Sequence, residues 1–75
     1  MECLVCGGDA EQILSRAGRI GVACRVCGEY ELETAVITSG QWRSLEPKRR
    51  RDILDEAKRS AQPGARPLIR PYLLG

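Results

Sequence analysis

A chain of 75 residues can form at most one domain, and at this size a hydrophobic core alone gives only marginal stability. Its formal net charge is +2, but residues 1–42 carry three basic and six acidic side chains, whereas residues 43–75 carry nine basic and four acidic ones. This asymmetry indicates a polyanionic partner for the C-terminal half. No apolar run approaches the roughly 20 residues of a membrane span, and no signal-peptide pattern is present, so we expect a cytoplasmic protein without a membrane partner.

The chain has only four cysteines, and they form two matched pairs: Cys3, Cys6, Cys24 and Cys27. The pattern C-x2-C-x17-C-x2-C lies within the range of four-cysteine zinc sites. Two residues between ligands allow one tight turn to direct both sulfurs to a single ion, at about 2.3 Å from each. Gly7 and Gly28 follow the second cysteine of each pair, where such a turn commonly needs a positive φ.

These cysteines predict one structural Zn²⁺ ion. Iron suits four sulfur ligands as well, and disulfide bonds or a redox dithiol are further alternatives. A cytoplasmic protein keeps its thiols reduced, which argues against disulfides. A site with four protein ligands has no open position for water, and the chain has no His, so we expect no enzymatic activity and no small-molecule substrate.

The segments "EQILSR" and "RIGVAC" flank Ala17-Gly18 and predict a β-hairpin, with Leu14, Ile20 and Val22 available to the core. The stretch "EYELE" alternates strictly and predicts a third strand. Tyr30 and Leu32 would face inward, and the three glutamates would face water.

Residues 3–33 resemble the zinc-ribbon (rubredoxin-like) family, through the two C-x2-C-G pairs, the hairpin between them and "CRVCGEYEL". More loosely, this arrangement followed by a helix is similar to small bacterial and phage proteins of uncharacterised function. The resemblance implies a small α+β metal-stapled domain, in which residues 1–42 form two zinc knuckles and a three-stranded antiparallel sheet. A C-terminal helix and an extended tail would complete it.

Residues 43–62 predict an amphipathic basic helix, with Ser44 as N-cap, Pro47 in the first turn and Pro63-Gly64 at the end. Its apolar stripe comprises Ile53, Leu54, Ala57 and Ala61, and Arg50 falls within it. Just before the helix, Trp42 is either a core residue or an exposed stacking platform for a base.

The basic run from Lys48 to Arg51 has two interpretations. Pairs four residues apart would make a salt-bridged, solvated face: Lys48 with Asp52, Arg51 with Asp55, and Asp55 with Arg59. Alternatively, five arginines would form a patch that follows phosphates, with salt-dependent and largely sequence-independent binding. This predicted patch comprises Arg43, Arg49, Arg50, Arg66 and Arg70.

The tail, residues 63–75, is apolar and spaced by prolines, which favour extended backbone. We expect it to pack on the same domain; otherwise it would dock on another protein or on a second copy of the chain. The predicted partner surface for that alternative comprises Leu54, Tyr72 and Leu73. Together these patterns predict a non-enzymatic zinc-binding module associated with nucleic acid, or alternatively a protein-interaction adaptor or homodimer.

Overall fold

The computed structural model of the chain describes residues 1–74; the last residue of the predicted tail, at position 75, lies outside the described residues. The strands are β1 (Ala10–Ile13), β2 (Arg19–Cys24), β3 (Gly28–Glu33) and β4 (Leu68–Ile69). The helices are α1 (Thr34–Thr38), α2 (Gln41–Ser44) and α3 (Pro47–Ser60), and a 3₁₀ turn spans Pro71–Leu74. The predicted small α+β class is therefore confirmed.

The first three strands form an antiparallel meander in which β2 is central. In β3 the predicted alternation holds on the inner side, because Tyr30 and Leu32 are fully buried. On the outer side Glu29 is exposed, but Glu31 is half-buried. Arginines from β2 and from the segment before β4 cover Glu31, so this face of the sheet is less open to water than the sequence predicts.

The sheet has a fourth strand, which corrects the prediction of three antiparallel strands and an extended tail. Strand β4 pairs in parallel with β3, with Leu68 opposite Glu31 and Ile69 opposite Leu32. Pro67 contributes its carbonyl oxygen, which accepts a hydrogen bond from Glu31 N at 2.8 Å. Pro67 and Pro71 flank this short strand and do not prevent it from forming. Pro71 begins a 3₁₀ turn, in which the first residue needs no N–H donor.

The hairpin prediction was wrong about Leu14, whose side chain is 92% exposed. Strand β1 ends one residue earlier, at Ile13, which pairs with Gly21 of β2. Gly21 has no side chain, and Ile13 lies over it so closely that a Cβ at Gly21 would be 2.9 Å from Ile13 Cγ1. Val22 is fully buried and Ile20 packs on the core, as predicted.

The single helix predicted for residues 43–62 is instead two helices, α2 and α3, separated by extended backbone at Leu45 and Glu46. Residues that precede proline disfavour the helical region, which explains the break before Pro47. Ser44 is therefore not the N-cap of α3. It ends α2, and its hydroxyl donates to the carbonyl of Gln41 at 2.7 Å.

One hydrophobic core joins the meander, the helices and the C-terminal segment. Trp42 is 2% exposed, and α3 contributes three buried side chains, those of Ile53, Leu54 and Ala57. From the C-terminal segment, Ile69 and Leu74 lie in the same core. No helix within residues 1–74 combines the length and the apolarity that a bilayer crossing requires.

Candidate metal centre

The two cysteine pairs meet at one point beside the sheet. Their four sulfur atoms, from Cys3, Cys6, Cys24 and Cys27, all lie within 4.8 Å of one another. The Sγ atoms of Cys3 and Cys27 are 3.8 Å apart, and those of Cys6 and Cys24 are 3.7 Å apart. A tetrahedral ion with metal–sulfur bonds of about 2.3 Å would place its ligands about 3.8 Å apart, so the four thiols could hold one metal ion.

Each pair lies on a tight turn that closes on a glycine. Gly7 N donates to Cys3 O at 3.0 Å in the first turn, and Gly7 and Gly28 have φ values of 80° and 82°. A Cβ at either glycine would have no atom within 4 Å, so the requirement for glycine is conformational and not steric.

Strand pairing brings the second turn beside the first. Cys24 is the last residue of β2 and pairs with Ala10 of β1 on one side and with Gly28 of β3 on the other. The segment before the first turn is fixed to β1, because Met1 N donates to Ala10 O at 3.0 Å and Ala10 N donates to Met1 O at 2.9 Å. These pairings and hydrogen bonds thus hold the two turns side by side.

The sulfurs lie in unequal environments. Cys3, Cys24 and Cys27 are buried, whereas Cys6 is half-buried. Burial raises the pKa of the Cys3 thiol, but hydrogen bonds from the Cys6 and Val5 backbone and from the Tyr30 hydroxyl outweigh it and lower that pKa to about 6. Burial, together with the neighbouring Cys6 and Cys3 sulfurs, raises the pKa of Cys27. Because like charges repel at this distance, a cation is needed to keep all four sulfurs deprotonated together.

Two aromatic side chains, those of Tyr30 and Trp42, support the first turn, a role not predicted from the sequence. The Tyr30 hydroxyl oxygen is 3.0 Å from Cys3 Sγ and accepts a hydrogen bond from Leu4 N at 3.1 Å. Trp42 Nε1 donates to Leu4 O at 2.8 Å. Trp42 is therefore a core residue and presents no exposed face to a base. A signal was available, because a buried Tyr or Trp usually needs a partner for its polar group.

The five arginines of the predicted phosphate patch have different surroundings. Arg66 binds Glu29 at 3.2 Å and Glu31 at 3.3 Å, and Arg70 Nε lies 3.6 Å from Glu33. These two arginines neutralise acids of β3. The other three belong to the helices: Arg43 and Arg49 are exposed, and Arg50 is half-buried, with no hydrogen-bond partner for its buried Nε within residues 1–74.

The intrahelical ion pairs predicted for α3 do not form. Within the part of the chain that the structure describes, the charged groups of Lys48, Arg51 and Arg59 have no acidic oxygen within 4.0 Å. The predicted partner surface is also divided. Leu54 is 1% exposed and lies in the core, Leu73 packs partly on that core, and Tyr72 alone of the three is largely exposed, at 70%.

No known protein family, curated protein or solved structure matches this chain. The assignment of the site therefore depends on its own geometry.

Proposed function

We propose that this chain is a non-enzymatic zinc-binding module of the zinc-ribbon type. One structural Zn²⁺ ion would be held by Cys3, Cys6, Cys24 and Cys27. The observation that carries the proposal is the arrangement of the four sulfurs, which all lie within 4.8 Å of one another. Two of their separations, 3.7 and 3.8 Å, match the edge of a zinc–thiolate tetrahedron. When bound, zinc would supply folding free energy to a domain whose core is small.

The donor set favours zinc in a structural role. Four thiolates complete a tetrahedral coordination shell and leave no position for substrate or water. Iron is the alternative ion for the same four sulfurs. Element analysis of the purified protein, together with the visible absorption that iron–thiolate bonds produce and zinc–thiolate bonds do not, separates the two metals.

Metal removal tests the proposal. We expect one zinc per chain, and loss of the cooperative unfolding transition when a chelator is added at neutral pH, because the unfolded chain has no preformed site. Cys24→Ser should have the same effect. Ala23→Ser is the matched control, since it adds a hydroxyl at the neighbouring half-buried position without removing a ligand. A metal-free protein that unfolds at the same temperature as the zinc-loaded one would contradict the proposal.

A second candidate function is binding of nucleic acid through a basic surface on α2 and α3, comprising Arg43, Lys48, Arg49 and Arg51. These side chains are exposed, and within residues 1–74 none is paired with an acid. The salt-bridged face, the competing interpretation of this run, therefore loses its support. The surface is smaller than the predicted patch, because Arg66 and Arg70 are engaged by acids of β3.

Charge reversal tests this second candidate. The zinc-loaded protein would be titrated with short single-stranded and double-stranded oligonucleotides at low and moderate salt. Arg43→Glu with Arg49→Glu should weaken binding strongly and reduce its salt dependence, because each lost phosphate contact lowers the log–log slope by about 0.9. Arg16→Glu with Arg25→Glu is the matched control, since it makes the same change in net charge at two exposed positions outside this surface.

Two outcomes would contradict nucleic-acid binding through the basic surface. The first is binding that survives the Arg43 and Arg49 changes. The second is an equal loss of binding in the control pair, which would indicate a general charge effect. If the wild type binds no oligonucleotide at low salt, the alternative of a protein partner or a homodimer is tested next. Sedimentation and a Tyr72→Ser variant address it, because Tyr72 is the exposed member of the predicted partner surface.

A further inference from the structure

The Tyr30 hydroxyl lies between a metal-ligand candidate and a backbone amide. Its oxygen is 3.0 Å from Cys3 Sγ and 3.1 Å from Leu4 N, and the side chain is fully buried. A phenol has one proton to donate. Leu4 N–H donates to the hydroxyl oxygen, so the hydroxyl proton is directed to the sulfur. A metal-bound thiolate carries no proton, and in the loaded centre the hydroxyl must therefore be the donor.

We propose that Tyr30 is a positioning residue of the metal centre, which holds and stabilises the Cys3 thiolate by donating a hydrogen bond to it. This inference rests on the proposed metal-binding function. The other donors to Cys3 are the backbone N–H groups of Val5 and Cys6, which are present whatever their side chains, and the Cys6 thiol, which has no proton to donate once it binds a metal. Tyr30 thus provides a side-chain contribution that a substitution can remove. Outer-shell partners of this kind typically change metal affinity by about 10- to 100-fold.

Core packing alone does not account for a tyrosine at this position. Phe would fill the same space without placing a hydroxyl in the core, and a buried hydroxyl is unfavourable unless it has a partner. Trp42 provides a useful contrast. It is almost equally buried, and its indole N–H donates to Leu4 O at 2.8 Å. Trp42 therefore binds the carbonyl group of Leu4, whereas Tyr30 binds its N–H group, and only Tyr30 also contacts a sulfur.

Three variants separate the sulfur contact from packing: Tyr30→Phe, Trp42→Phe and Tyr72→Phe. Zn²⁺ affinity would be measured by competition with a chelator, and the sulfur-to-metal charge-transfer band would be recorded with Co²⁺. Tyr30→Phe should weaken Zn²⁺ binding about 10- to 100-fold. It should also shift the band to longer wavelength, because a sulfur without this hydrogen bond gives up its electron more readily.

The other two variants are controls with distinct expectations. Trp42→Phe should lower the unfolding temperature and leave the Co²⁺ band unshifted, because it removes a bond to Leu4 and none to sulfur. Tyr72→Phe should change neither property, since Tyr72 is 70% exposed. A band shift that appears with Trp42→Phe as strongly as with Tyr30→Phe would mean that packing is responsible, and would overturn the inference.

The inference and the proposed function fail differently. If wild-type protein binds neither Zn²⁺ nor Co²⁺, the proposed function is wrong. If wild type binds both ions and Tyr30→Phe matches it in affinity and band position, the role of Tyr30 alone is wrong. If Tyr30→Phe does not fold, NMR of the zinc-loaded wild type provides the test, through the rate at which the Tyr30 hydroxyl proton exchanges with solvent. Slow exchange with solvent is expected, and rapid exchange would overturn the inference.

Discussion

Replacing Ile69 by Ala tests whether the C-terminal segment is an integral part of the fold. Ile69 is fully buried and pairs with Leu32 of β3. The substitution removes three carbon atoms, each worth about 0.8 kcal/mol of transfer free energy, and leaves a cavity that adds to this loss. We expect the free energy of unfolding to fall by about 2–5 kcal/mol. A domain of this size has about 4–11 kcal/mol in total, so the effect is large.

Guanidinium unfolding of the zinc-loaded protein, followed by the fluorescence of Trp42 and by circular dichroism, measures this loss. The denaturation midpoint should move and its slope should not, since the surface exposed on unfolding is nearly unchanged. Leu14→Ala is the control, because that side chain is 92% exposed and its removal should change stability by about 0.5 kcal/mol or less. Equal midpoints for the two variants would refute the assignment of Ile69 to the core.

Three further substitutions follow from the structure, each measured by thermal unfolding of the zinc-loaded protein. Gly21→Ala should lower the free energy of unfolding by about 1–3 kcal/mol, because the new Cβ would lie 2.8 Å from the Ile13 carbonyl oxygen. An unchanged unfolding temperature would show that β1 can shift away from the new Cβ without loss of stability. Gly28→Ala should lower the free energy of unfolding by about 1–2 kcal/mol, because a φ of 82° is unfavourable for any residue with a Cβ. A larger loss of stability would point to steric contact in addition. Arg66→Gln should lower the free energy of unfolding by about 1 kcal/mol or less at low salt, and by still less at high salt, because its two ion pairs with β3 are partly exposed. A loss of stability that does not depend on salt would argue against an electrostatic cause.

Features that depend on neighbouring residues could be predicted from the sequence. The cysteine spacing predicted a common site, and the four sulfurs do lie together. The glycine after each pair predicted a positive φ, which Gly7 and Gly28 both have. The alternation around Tyr30 predicted its burial. The break before Pro47 was also present in the sequence, since proline restricts the residue that precedes it, but the capping pattern at Ser44 favoured a longer helix.

Features that depend on distant residues could not be predicted in the same way. Strand β4 has two residues, too few to show a period, and it is fixed only by its pairing with β3. Arg66 and Arg70 were assigned to a phosphate surface because no acid follows Glu56 in the sequence. Their ion-pair partners lie in β3, more than thirty residues earlier, and only the tertiary fold brings them together.

The parallel pairing of β4 with β3 has a consequence for the order in which the molecule assembles. Both cysteine-bearing turns and the meander lie within residues 3–33, whereas the strand that completes the sheet begins at Leu68. During synthesis the N-terminal segment emerges first, and it can fold while one edge of β3 is still unpaired. Non-local parallel pairing is slow to form, and an open strand edge can join another chain. Nascent chains are therefore most prone to associate wrongly in the interval before residues 68–69 arrive.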